Sequence, residues 1–124
     1  MFQFDLTEEQ QAVQDAARDF AQQELLPGVI ERDRDMIYPK EQVRKMAEMG
    51  FLGMMVSPDY GGSGMDTMSY VLAMEEISKV DSSCSVIMSV NNSLVCWGLE
   101  TFGTDEQKDK YLRKLATGEW IGAF

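Results

Sequence analysis

Cys84-Ser85-Val86-Ile87-Met88-Ser89-Val90-Asn91-Asn92-Ser93-Leu94-Val95-Cys96-Trp97-Gly98-Leu99 is the stretch that decides the fold, because none of these residues carries a formal charge. Asp81 stands ahead of it as a helix cap, and the helical pattern runs to about Phe102, with Gly103 beyond. A helix without a charged face belongs at the centre of a bundle, buried by its neighbours. Asn91-Asn92-Ser93 in the middle argues against a membrane helix, and the chain has no 18-residue apolar run that could span one. Buried amides also need partners or a cavity to line.

Outward from this centre, apolar residues recur with a period near 3.6 almost everywhere. Thr7-Glu8-Glu9-Gln10 forms a capping box that opens a first helix, with Val13, Ala16, Ala17 and Phe20 on its apolar face. Pro27-Gly28 kinks or ends it. The alternating charges of Glu31-Arg32-Asp33-Arg34-Asp35 read as a solvated face or exit loop. Pro39 suits the first turn of a second helix, Val43, Met46 and Ala47 make its buried stripe, and Gly50 is its C-cap. From Phe51 to Met65 the glycines at 53, 61, 62 and 64 and Pro58 predict a loop. Asp66 caps a third helix with Tyr70, Ala73, Met74 and Ile77 on one face. The 84–99 helix is the fourth. Thr104-Asp105-Glu106-Gln107 is a second capping box, opening a fifth helix that shows Lys108, Tyr111, Leu112 and Leu115 on one side and stops at Gly118. Glu119-Trp120-Ile121-Gly122-Ala123-Phe124 then favours a strand, and an apolar strand start here leads us to expect that the polypeptide continues. The predicted architecture is all-α: a bundle of about five helices around an uncharged one, forming a single domain over residues 1–124.

Composition removes several functions. The 124 residues include 21 acidic and 11 basic ones, a net charge of −10, which suits a poor nucleic-acid binder. There is no His, so His-dependent triads and HExxH zinc sites are excluded. Two Cys cannot build a disulfide scaffold, and ten Met point to an adaptable interior. The acidic, polar start does not read as a signal or transit peptide, so a reducing, cytoplasmic setting is expected.

The chemical candidates are few. Cys84 and Cys96 lie about 18 Å apart along one helix, too far to bridge, and have no basic neighbour, so they read as small buried hydrophobes. Tyr60-Gly61-Gly62-Ser63-Gly64 invites a phosphate cradle, but lacks the P-loop Lys and a parallel sheet. A connection needing positive φ is the plainer reading. Asn91-Asn92-Ser93 is a glycosylation sequon placed in mid-helix, a poor site for the modification. Glu75-Glu76 could pair as carboxylates for a di-iron centre, but without an ExxH partner they read as solvated groups. No catalytic set emerges. Residue types alone leave two classes open: a helical domain of a larger enzyme, or a free-standing helical interaction module.

The order of motifs resembles a known family. Ser57-Pro58-Asp59-Tyr60-Gly61-Gly62-Ser63-Gly64, followed by Met65-Asp66, is similar to the P-x-x-Y-G-G-x-G loop of acyl-CoA dehydrogenases. Leu6-Thr7-Glu8-Glu9-Gln10 resembles the family's first helix cap. Glu75-Glu76-Ile77-Ser78 resembles its E-E-[IL]-[SA] helix. The run from Phe102-Gly103-Thr104 to Lys110-Tyr111-Leu112 resembles its [YF]-G-[TS]-x-E-Q-K-x-[KR]-Y-L segment, and Gly118 to Phe124 the stretch before its flavin signature. Short-chain, butyryl-CoA dehydrogenase-like members are nearest, from Ser89-Val90-Asn91-Asn92-Ser93-Leu94.

The resemblance implies a three-domain FAD enzyme in which this chain corresponds to the N-terminal helical domain. The middle β-domain and the C-terminal helical domain, with the catalytic Glu and most of the flavin site, would lie outside it. Such an enzyme oxidises a short acyl-CoA to the trans-2-enoyl-CoA and passes electrons to an electron-transfer flavoprotein. No catalytic residue is expected within residues 1–124. By the same resemblance Ile87, Val90, Asn91 and Leu94 share a face that lines part of the acyl pocket, and Phe124 stands where contact with FAD would begin. The chain alone is expected to be inactive, to bind no cofactor tightly and to self-associate through faces left bare. The alternative is a stand-alone interaction module derived from this domain.

Overall fold

Residues 4–123 are described by a computed structural model. Six helices occur among the described residues, besides a short 3-10 turn over Pro58–Tyr60. α1 covers 8–25, α-helical over Glu8–Phe20 and widened to a π-type turn over Ala21–Leu25. α2 is Val29–Arg34, α3 is Lys40–Glu48 and α4 is Thr67–Ser78. α5 covers 82–102 and is also wide-turned in its middle, over Val90–Cys96. α6 covers 105–116, with a wide turn over Lys108–Leu112. No strand occurs among the described residues.

Local chemistry explains most of the boundaries. Both capping boxes close as predicted: the Thr7 hydroxyl accepts from Gln10 N and the Thr104 hydroxyl from Gln107 N, and each Gln side chain returns the bond. The Asp66 carboxylate accepts from Ser69 N at 2.7 Å and opens α4. Asp81 accepts from Cys84 N at 3.1 Å and opens α5. Gly50 ends α3 with φ +78°, a left-handed value that favours glycine.

α1 packs along α4, α4 against α5, and α3 across α5. One apolar cluster joins Val13, Phe20, Leu25, Met46, Ile77 and Met88. A second, around Leu112 and Leu115 of α6, reaches α5 at Cys96. α5 therefore stands between two cores. Its burial is one-sided, however: Val86, Leu94 and Trp97 are half-exposed or more along one face.

The structure departs from the sequence reading in four places. Ala16 lies on the solvent side of α1, because the buried stripe is the narrower set Val13, Ala17 and Phe20. The charged run 31–35 falls mostly in a sixth helix, α2, and its Arg32 turns inward. It donates to Leu25 O at 2.6 Å and Pro27 O at 2.8 Å and pairs with the buried Asp81 at 3.2 Å. Glu76 is not a solvated carboxylate: it is buried, and Arg18 of α1 and Lys79 each approach it to 3.1 Å. Burial opposes its ionisation, but these two cations outweigh burial and hold its carboxyl below the ordinary value. Residues 119–123 form an irregular segment with no partner strand among the described residues.

The predicted loop over 51–65 is a loop, but an interior one. Phe51, Leu52, Met54 and Val56 are buried between the two cores. Gly53 lies so close to α6 that a Cβ there would stand 2.4 Å from Ala116 O.

Candidate functional site

α5 carries the four residues that the sequence singled out, and they differ in burial. Ile87 and Val90 are partly buried on the outward side and Leu94 is half-exposed beside them. Asn91 differs from all three: it is completely buried, and its amide is engaged by main chain. Its Nδ2 donates to Leu52 O at 2.7 Å and to Leu115 O at 3.0 Å, and its Oδ1 accepts from Gly122 N at 2.8 Å. Asn92 works in the same way on the interior loop. Its Nδ2 donates to Phe51 O at 2.7 Å and Met88 O at 2.9 Å, while its Oδ1 accepts from Met54 N at 2.8 Å. The two amides thus find the partners that buried polar groups require. Phe124, the residue expected at a flavin contact, lies outside the described residues.

An open groove of about 680 Å³ begins at Ile87. Val86 and Ile87 form its α5 wall, and Met36, Ile37 and Tyr38 between α2 and α3 form the opposite wall. Ser82, Ser83, Arg32 and Asp33 give it a polar end. Residues 36–38 were missed in the sequence because their role depends on how α2 and α3 approach α5, and three residues in a connection carry no periodicity.

The groove suits shelter of an apolar chain. Its hydroxyls, on Ser82, Ser83 and Tyr38, have no His in the chain to activate them. No group of three potential metal ligands occurs among the described residues. Cys84 and Cys96 are free and buried. Burial pushes each thiol up to about 12, helped at Cys84 by the neighbouring Asp81 and at Cys96 by Glu100, so neither is a thiolate near neutral pH.

The glycine loop does not fit a phosphate or the pyrophosphate of a flavin dinucleotide. Every main-chain N–H from Gly61 to Met65 already donates to a carbonyl: to Pro58, Ser57, Gly53, Val56 and Met54 in turn. A cradle needs those donors free. Gly61 and Gly64 have φ +84° and +60°, and a Cβ on Gly62 would lie 2.1 Å from Val56 O. The glycines serve the turn.

Comparison with known proteins agrees with the all-α fold. The family profile described as Acyl-CoA dehydrogenase, N-terminal domain, matches residues 7–119. The short-chain specific acyl-CoA dehydrogenase of Clostridium acetobutylicum is 45% identical over 121 residues, covering 98% of this chain and 32% of that protein. The chain thus spans about a third of the length of that curated relative. Butyryl-CoA dehydrogenase from Megasphaera elsdenii superposes with a TM-score of 0.89 at 37% identity, over 97% of this chain and 32% of that one. A solved chain from work on the electron transferring flavoprotein of Acidaminococcus fermentans superposes with a TM-score of 0.93 at 44% identity, over 97% and 32%.

Proposed function

Because the chain belongs to the acyl-CoA dehydrogenase family as its N-terminal helical domain, we propose that it forms one wall of a short acyl-chain site in a larger flavoenzyme. That enzyme oxidises a short acyl-CoA to the trans-2-enoyl-CoA and passes the electrons to an electron-transfer flavoprotein. The observation that carries this reading is the uncharged outward face of α5, with Ile87, Val90 and Leu94 on it and an open groove at Ile87. The name of the Clostridium acetobutylicum relative supports a short chain.

FAD supplies the two-electron acceptor in this family. The glycine loop does not provide its phosphate site, since the N–H donors of residues 61–65 are engaged. In this reading the chain contributes the acyl wall, with Asn91 fixing that wall from behind, and the flavin and the base come from the rest of the protein. By itself the chain neither oxidises acyl-CoA nor holds FAD tightly. Its bare apolar residues, among them Val86, Leu94 and Trp97, drive self-association. A sedimentation run showing a compact monomer at all concentrations overturns that point. The two unbridged, buried thiols are consistent with a reducing, cytoplasmic setting.

The test is Val90→Ala in the full-length protein. Removing two methyls from the wall should raise kcat/KM for hexanoyl-CoA relative to butyryl-CoA. An unchanged chain-length preference would overturn the acyl-wall reading.

A further inference from the structure

Asn91 is where three separate stretches of main chain meet α5: the interior loop at Leu52, the end of α6 at Leu115, and the final segment at Gly122. The last contact is doubled. Gly122 sits so near Val95 that a Cβ on it would lie 2.7 Å from the Val95 methyls. Two residues of α5, four positions apart, thus clasp one glycine. Asn92 grips only the loop and its own helix. Both amides stand at the start of the wide turn over Val90–Cys96. A π-type turn interrupts the regular α-helical ladder and is frequent at functional sites, so contacts from outside the helix bear on how its two ends sit about the axis.

We propose that Asn91 is a positioning residue for the acyl wall: its three main-chain bonds and the Gly122 clasp set the roll of α5, and with it the depth of the open groove at Ile87 and the outward reach of Val90 and Leu94. The lever is short. A helix with its side chains has a radius of about 5–6 Å, so a roll of about 10° moves an outward side-chain tip by about 1 Å. Asn91 itself is buried, with its amide held by main chain rather than turned to that surface. The proposal rests on the acyl-wall reading above.

The test compares Asn91→Leu, Gly122→Ala and Asn92→Leu in the full-length protein. The readouts are the ratio of kcat/KM for butyryl-CoA and octanoyl-CoA, and Tm. Gly122→Ala pushes the segment off Val95 from the other side and leaves the α5 interior intact, so it serves even if Asn91→Leu fails to fold. The expected result is a shift of at least about threefold in the ratio for Asn91→Leu and Gly122→Ala, well within what one methylene of fit is worth. Asn92→Leu should lower Tm and leave the ratio within twofold of the parent, by about the additivity error of such measurements. A parent-like ratio in Gly122→Ala and in any folded Asn91→Leu would overturn the proposal, as would an equal shift in Asn92→Leu. If the parent shows no saturable dependence on acyl-CoA, the acyl-wall reading fails first and this one with it.

Discussion

Asn92→Leu keeps the size of the side chain and removes all three of its polar contacts. Met54 N, Phe51 O and Met88 O are left facing an apolar group in a residue that is only 2% exposed. An unmatched buried group costs about 1–3 kcal/mol, with the helical Met88 carbonyl at the low end, which gives a loss of about 5 kcal/mol. Burying a Leu returns about 2 kcal/mol, leaving a net destabilisation of about 3 kcal/mol. Unfolding entropies near 2.1 cal/mol/K per residue convert this, for 124 residues, to a fall in Tm of about 12 °C. The assay is urea and thermal unfolding followed by far-ultraviolet circular dichroism at micromolar protein. Ser93→Ala is the control. Its hydroxyl only donates to Ser89 O one turn back, so its removal should stay within about 0.5 kcal/mol of the parent. A loss of less than about 1 kcal/mol for Asn92→Leu, with an unchanged m-value, would refute the idea that this amide carries the interior loop.

Gly62→Ala places a Cβ 2.1 Å from Val56 O, against backbone that cannot swing away, so it should lower Tm by several degrees and open the 57–64 turn to limited proteolysis. A parent-like Tm and cleavage pattern would show that the turn has room. Glu76 has a folded pKa below its unfolded value near 4.5. Its contribution is therefore fully present above that pH and is lost as pH falls through the lower folded value. Glu76→Gln should flatten the acid limb of stability against pH, measured as urea midpoints between pH 3 and 7, and an equally steep limb would remove Glu76 as its source. Cys84 and Cys96 should react with a thiol reagent only after unfolding, because both are buried with thiols pushed up to about 12. Rapid labelling of the native chain would contradict that.

The features legible in the sequence were those decided within one helical turn. Thr7, Asp66, Asp81 and Thr104 cap because their side-chain oxygens reach an N–H three residues on, and that reach needs no knowledge of the fold. The uncharged run 84–99 located the central helix by pattern, because a helix without a charged face packs among its neighbours. What escaped notice was decided by neighbours distant in the chain. Glu75 and Glu76 are adjacent in sequence, yet only Glu76 meets Arg18, 58 positions away. The glycine-rich stretch 51–65 has the composition of a surface loop, but Gly53 and Gly62 admit close main-chain approach, and that draws Phe51, Leu52 and Met54 inside. At the site, helical spacing put Ile87, Val90, Asn91 and Leu94 on one face. It could not separate Asn91, because an amide pattern alone does not say whether its partners lie in a pocket or in the main chain behind it.

The amide anchors on α5 also bear on the order in which the chain becomes native. Met54 is 38 positions from Asn92, Phe51 is 41, and Gly122 is 31 from Asn91. Bonds across such intervals reward the chain only after the intervening loops have closed, and we expect them to tighten after the folding barrier rather than to build it. Interactions that form after the barrier slow its reverse crossing and leave the forward rate nearly untouched. The two asparagines therefore act mainly on how long a folded molecule lasts, and weakening either one should shorten the native lifetime far more than it delays refolding.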